Sequence, residues 1–185
     1  MGNCCYMSLT IADLEKLQTQ HPDLKFELVD GDIIIMSPSD YCSEEVGGEL
    51  LRLLANWVKP RKLGRVTGSS AGFIMPNGDL LAPDVAFVSA DKLRESPRSY
   101  AEIVPDLVVE IKSSTDKIKK LTRKIERFIE LGVSVAILVD PDKHLVTVYR
   151  PNAEAVELGD DDKLTLPNLL PGWEVQVREL WPVVF

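Results

Sequence analysis

Apolar residues along this chain change their spacing several times, and each change marks an element. Ile11, Leu14 and Leu17 recur at helical spacing behind Thr10 and Asp13, which predicts a short capped helix ending before His21-Pro22-Asp23. The runs 25–29 and 32–36 are apolar-rich and flank Asp30-Gly31, a two-residue hairpin signal because glycine takes positive φ without strain. Glu27 lies in the first strand of that hairpin. Val46, Leu50, Leu53, Leu54 and Trp57 form one stripe, so a helix is expected from an N-cap at Ser43 to about Val58. Glu45 and Glu49 stack along the flank of that stripe, Glu49 at its border.

Val66-Thr67-Gly68 and 71–75 read as strands, and Asn77-Gly78 turns the chain back into the apolar run 80–88. Pro83 interrupts this run. It has no N–H for a sheet ladder, so it marks a strand start, an edge or a bulge, and Asp84 stands at that distortion. Residues 91–101 are polar and irregular. They lead into Val104 to Ser113, the strand on which the chain is organised. Alternation puts Leu107, Val109 and Ile111 on one face and Val108, Glu110 and Lys112 on the other, with Glu110 and Lys112 side by side.

Charges on so apolar a strand need a reason, because an unpaired buried charge is costly. Two readings are open. In one, this is an edge strand whose Glu and Lys form a weak solvated pair. In the other, the pair belongs to a metal-dependent phosphodiesterase site, with a carboxylate holding a divalent cation and an ammonium beside the attacking water.

Ser113-Ser114-Thr115 can cap a helix running from Asp116 to Leu131, with Gly132 as its stop. Ile118, Leu121, Ile125, Phe128 and Ile129 supply its buried stripe. The rest of its surface carries Lys117, Lys119, Lys120, Arg123, Lys124 and Arg127, a local candidate for phosphate contact or an ordinary solvated face. Beyond it, 134–139 reads as a buried strand and 144–149 as an alternating one. The runs 155–158 and 163–166 are expected to pair across an acidic turn, Gly159-Asp160-Asp161-Asp162, and 173–177 forms a last strand. No repeat, linker or boundary interrupts the series, so one domain over 1–185 is expected.

Composition narrows the function classes. With 185 residues, 45% hydrophobic and 27% charged, the chain can bury a sizeable core. No apolar run reaches the roughly 20 residues that span a bilayer, which sets the expectation of a cytoplasmic protein. The start, Met1-Gly2-Asn3-Cys4-Cys5-Tyr6, is only superficially a lipidation signal, since Tyr6 stands where Ser or Thr is needed. Met7 is the expected natural start, and residues 1–8 are expected to be peripheral. Cys4, Cys5 and Cys42 have no metal-ligand spacing, so neither a zinc site nor a disulfide framework is supported. A formal net charge of −8 opposes indiscriminate attraction to nucleic acid, yet acidic metal ligands beside local basic groups are compatible with a nucleic-acid enzyme.

Pro83-Asp84 followed by Glu110-Ile111-Lys112 resembles the signature of the PD-(D/E)XK nuclease superfamily. More specifically, the chain resembles the Uma2 family of restriction endonucleases, numerous in cyanobacteria. The matching stretches are Phe26 to Gly31 with Met36-Ser37-Pro38, then Leu81 to Val88, then Val104 to Ser114, then Lys124 with Phe128, Gly132-Val133 and Val139-Asp140-Pro141. The chain departs from that family at Val135-Ala136-Ile137, where an acidic residue and two aromatics are usual, and at Phe128, often Tyr. Many relatives lose the lysine that Lys112 supplies here.

The resemblance implies an α/β (α+β) fold: a restriction-endonuclease-like mixed β-sheet core flanked by helices, with β-hairpins added at both ends. It also implies metal-assisted hydrolysis of phosphodiesters, with DNA as substrate and, by analogy with nucleases that cut two strands, a homodimer. Asp84 and Glu110, with the Ile111 carbonyl, would hold Mg²⁺ or Mn²⁺, and Lys112 would orient the water or stabilise charge. Glu49 or Glu45 would complete the shell, Lys124 and Lys120 would contact phosphate, and Glu27 would support the site. The alternative class is a non-catalytic binding module that keeps the nuclease fold. A nucleophile triad is disfavoured because neither His21 nor His144 has a suitable setting and no Gly-x-Ser-x-Gly occurs. No phosphate-cradling glycine loop is present either.

Overall fold

The computed structural model describes residues 8–185; the expectations for Cys4, Cys5 and the first residues lie outside them. The chain begins with helix α1 (Ile11–Gln20), whose Thr10 and Asp13 form a reciprocal capping box. The hairpin β1 (Lys25–Val29) and β2 (Asp32–Met36) follows, turned by Asp30 and Gly31, both at positive φ. Helix α2 spans Tyr41–Arg61. Its N-cap is Asp40 rather than Ser43: the Asp40 carboxylate accepts the Ser43 N–H at 3.0 Å and also the Ser114 N–H at 2.7 Å. That second bond ties the start of α2 to a segment far along the chain, which local pattern could not reveal.

Strands β3 (Gly64–Gly68), β4 (Phe73–Ile74), β5 (Leu80–Leu81) and β6 (Val85–Ser89) come next. The single apolar run 80–88 is thus two strands in different sheets. β5 belongs to a four-stranded sheet ordered β2-β1-β5-β4, and β6 to a six-stranded one. Pro83 falls in the break, where no ladder donor is required.

The remaining elements are β7 (Leu107–Ile111), α3 (Ile118–Glu130), β8 (Val135–Asp140), β9 (Leu145–Tyr149), β10 (Val156–Leu158), β11 (Lys163–Thr165) and β12 (Glu174–Gln176), closed by a 3₁₀ turn at Val177–Leu180. The six-stranded sheet is ordered β10-β9-β8-β7-β6-β3, with β7 and β8 parallel and joined through α3. β10 and β11 do not pair with each other. β10 extends the main sheet beside β9, and β11 pairs with β12.

Two apolar layers enclose that sheet. Val46, Leu50, Leu54 and Val58 of α2 pack on the face carrying Leu107, Val109 and Ile111. Leu121, Ile125 and Phe128 of α3 pack on the opposite face with Val108, Ala86 and Leu138. A third cluster seats Leu14 of α1 on Phe26, Leu28 and Leu80. The fold is a mixed α/β sheet flanked by helices, as the sequence implied. Among the described residues no helix is long and apolar enough to cross a membrane.

Candidate active site

The site forms where β6 meets β7. The paired register runs Val85↔Val109, so Asp84 is one step beyond the last pair, at the level of Glu110. There its Oδ2 accepts the Ile111 N–H at 2.7 Å, taking the place of a ladder carbonyl. Burial raises the Asp84 pKa above its ordinary value, opposed by the Ile111 N–H and the Lys124 charge, while Glu44 and Asp116 push it further up.

β7 is no edge strand. It lies between β6 and β8, and all five of its residues are buried, which removes the solvated-pair reading of Glu110. Glu110 meets Lys124 of α3, whose Nζ stands 2.9 Å from Oε1. Oε1 is buried, and that ammonium is the charge partner it meets. The same Nζ is 3.0 Å from Oε1 of Glu27, and that oxygen also accepts the Ala82 N–H at 2.8 Å. Glu27, Lys124 and Glu110 therefore lock β1, α3 and β7 together beside Pro83-Asp84. Burial drives the Glu110 pKa up to about 8, with the charges of Asp84 and Glu27 adding to the rise and Lys124 opposing it.

Lys112 is not beside Glu110. The alternation that would align them ends with the strand at Ile111, and the chain then enters a turn in which Asp116 accepts both the N–H and the hydroxyl of Ser113. The Lys112 ammonium turns to Asp142 at 2.5 Å and to the Ser113 carbonyl at 3.3 Å. Asp142 sits in the turn between β8 and β9, a partner fixed only by tertiary folding. The seryl segment that was expected to cap α3 is used in this turn, and α3 starts after Lys117 without a side-chain cap.

A cleft of about 160 Å³ opens on Asp84, lined by Ser43, Glu44, Gly47, Gly48 and Ser69 among others. The acidic residue that α2 presents to it is Glu44. Glu49 lies outside the lining, held by Arg52 through Nε at 2.8 Å and Nη2 at 2.5 Å, and Glu45 is exposed elsewhere on the helix. The reason is helical phase: Glu44, Gly47, Gly48 and Leu51 share one face, and Glu49 is turned well away from it. The two glycines keep that face low. A Cβ at Gly47 would stand 3.0 Å from Ile111 Cδ1.

Lys117, Lys119, Lys120 and Arg123 are exposed on α3, with Lys120 one turn before Lys124 on the same side. One further turn along that side, Arg127 pairs with Asp30 at 2.6 Å and with the buried Asp79 at 2.5 Å. Two of the six basic residues, Lys124 and Arg127, are thus spent on pairing within the fold. Sequence reasoning did not single out Glu44, Asp142 or Asp79. The one signal in the chain for such pairing is the recurrence of Lys117, Lys120, Lys124 and Arg127 at helical spacing, which lines them along one side.

Among the described residues no three His, Cys, Asp or Glu side chains converge as a metal cluster. A magnesium-type ion needs fewer protein donors, since it keeps several waters and takes one or two carboxylates plus substrate phosphate. Asp84 and Glu110 offer hard oxygen donors on adjacent strands, and burial raises the pKa of both, so a bound cation would favour their ionised forms. The residues fit such an ion.

A model of the Uma2 family, described as "Putative restriction endonuclease", matches residues 11–178. A crystal structure described as a putative nuclease belonging to DUF820, from Anabaena variabilis, is similar to this chain with a TM-score of 0.75 and 21% identity, covering 84% of this chain and 88% of that one. At that identity the likeness establishes the fold. A cryo-EM structure of a DrdV–DNA complex aligns with a TM-score of 0.37 and 15% identity over 58% of this chain and 9% of its own, and carries no argument. Among curated proteins none matches.

Proposed function

The chain belongs to the Uma2 family, and from that premise we propose that it is a metal-dependent endonuclease hydrolysing phosphodiester bonds in DNA. The observation that carries this reading is the placement of Asp84 and Glu110 at the same level of the β6–β7 junction, with the Lys124 ammonium on Glu110 and an open cleft on Asp84.

Asp84 and Glu110, with the Ile111 carbonyl, are the groups that would hold Mg²⁺ or Mn²⁺, and Glu44, on the wall of the cleft, would act through a water of that ion. When bound, such an ion supplies Lewis acidity and an acidified water. The protein's own groups do the rest. The Ile111 N–H fixes the Asp84 carboxylate in one orientation. Lys124 takes the electrostatic role that the family resemblance implied for Lys112: it offsets the buried carboxylates and is the cation closest to the candidate ligands. The exposed Lys120 and Lys117, on the outer continuation of the same stripe, are suited to hold phosphates flanking the cut.

The test is Mn²⁺ titration by calorimetry, followed by plasmid DNA cleavage. Native protein is expected to bind the ion and cut, with binding and cutting lost in Asp84→Ala and Glu110→Ala. A folded native chain that neither binds the ion, with or without DNA, nor cuts would overturn the reading. It would favour the binding-module alternative, for which the observation is that Lys124 already balances Glu110 and Asp142 already holds Lys112.

A further inference from the structure

A second cleft, of about 610 Å³, lies on the edge of the main sheet and is distinct from the one at Asp84. β3 is the terminal strand of the six-stranded sheet, so one side of its backbone has no strand partner. Val66 turns into the core beneath α2, which leaves Arg65 and Thr67 on the opposite face, lining the cleft. The Arg65 guanidinium is held in place by the carbonyls of Leu93, at 3.3 Å, and Arg94. Among the described residues no carboxylate pairs with it. Thr67 Oγ1 is buried with no hydrogen-bond partner.

Tyr100 closes another wall. Its ring packs directly on Gly72, where a Cβ would come within 2.7 Å of Cδ1, so glycine at 72 is what lets an aromatic face lie against the backbone. Arg98 stands exposed on the same lining, and Glu15 is the acidic member. Two guanidinium groups against one carboxylate make this a locally basic cleft on a chain of formal charge −8.

The two clefts are joined by one short stretch of backbone. Gly68 and Ser69 line the cleft at Asp84, while Ser70, Ala71 and Gly72 line the larger one, and the Ala71 N–H closes the turn between them on the Gly68 carbonyl at 3.2 Å. A nucleic-acid strand with a phosphate at Asp84 would cross the edge of the sheet at this turn to reach the larger cleft.

We propose that the larger cleft is a subsite for an unpaired nucleotide adjacent to the scissile phosphate, so that the substrate is single-stranded or locally unpaired nucleic acid. This rests on the nuclease reading for its neighbouring phosphate. The volume falls in the range of about 300–1,000 Å³ usual for small-ligand sites. An aromatic wall with guanidinium groups is the combination that binds single strands, by stacking a base and attracting its backbone. The Arg65 guanidinium on the cleft wall offers a polar contact to a base edge. A base within a continuous duplex reaches such a cleft only after unstacking and unpairing.

The experiment compares a fluorescein-labelled single strand with the matching duplex, by anisotropy in Ca²⁺ and by cleavage in Mn²⁺, using the full chain. Tyr100→Leu keeps apolar bulk, and Arg98→Gln changes only an exposed residue; thermal unfolding checks both folds. Native protein is expected to prefer the single strand, and Tyr100→Leu to lower that affinity about 5- to 150-fold, the range for one stacked base. Arg98→Gln is expected to lower it several-fold, with duplex affinity unchanged in both. Equal affinity for the two substrates, or single-strand affinity retained in folded variants, overturns the subsite. Failure of the nuclease reading looks different: no nucleic acid is cut at all, while the binding series still decides the subsite.

Discussion

Lys124 Nζ lies 2.9 Å from Oε1 of Glu110, although the two residues belong to different layers and a lysine much nearer in sequence, Lys112, points elsewhere. Its second contact, to Glu27, makes Lys124 the cation of a buried cluster with two carboxyl groups. Removing one partner from such a cluster leaves buried charge uncompensated, at a cost of about 3–5 kcal/mol. Lys124→Met is therefore expected to lose about that much stability in urea unfolding and to abolish cleavage. Adding Glu27→Gln should recover part of the stability and none of the cleavage. Lys112→Ala breaks a pair whose Asp142 side chain is 67% exposed, so its stability should change by less than about 1 kcal/mol. Full activity in Lys124→Met would refute the role given to it.

The raised pKa of Glu110 fixes a pH slope for the metal-free protein. The folded chain keeps this proton up to about pH 8, whereas an unfolded glutamate releases it near its ordinary 4.5. Across that window the folded state binds more protons, so Glu110 makes stability fall as pH rises, with its full contribution present only below the lower limit. Chemical denaturation from pH 5 to 8 in the presence of a chelator should show a Glu110→Gln variant with a flatter profile than native protein. Mn²⁺ affinity should rise over the same window, since the ion competes with the proton.

Glu44 and Glu49 can be separated by one titration. Glu44 lines the cleft at Asp84, and Glu49 is engaged by Arg52 on another face of α2. Glu44→Gln should weaken Mn²⁺ binding several-fold. Glu49→Gln should leave it unchanged and cost only about 0.3 kcal/mol through its exposed helical pair. The reverse result would restore Glu49 to the site.

Asp40 links the beginning of α2 to the segment after β7 and has its pKa lowered to about 2, first by the Ser114 N–H and then by the Ser43 N–H. A depressed carboxylate contributes stability above its unfolded pKa of about 3.8 and loses it as pH falls toward 2. Asp40→Ala should cost about 0.5–2 kcal/mol near neutrality, as for other caps, and should blunt the acid transition in that window. An unchanged acid limb in the variant would mean that other carboxylates set it.

Local chemistry was enough to place many elements. The Thr10 box, the Asp30-Gly31 turn, the α2 stripe and the Gly132 stop each depend on residues a few positions apart, and all were readable in the chain. So was the placement of Asp84 at a break in a strand run. The pairing of 155–158 with 163–166 differs from the structure because each of these strands has a second sequential neighbour, β9 before β10 and β12 after β11, and pairs with that one instead.

The site divides along the same line. Sequence determined which groups are available: a carboxylate after Pro83, a second on an apolar strand, a basic helix behind them, and the α/β order that brings these near one another. Tertiary structure alone decided which charge meets which. Alternation holds only while a strand lasts, so the turn after Ile111 sent Lys112 to Asp142, and helical phase gave Glu44 rather than Glu49 to the cleft. Pairing of buried charges is settled by which oppositely charged groups the packed layers enclose together, and that is a property of three elements at once, not of spacing along any one of them.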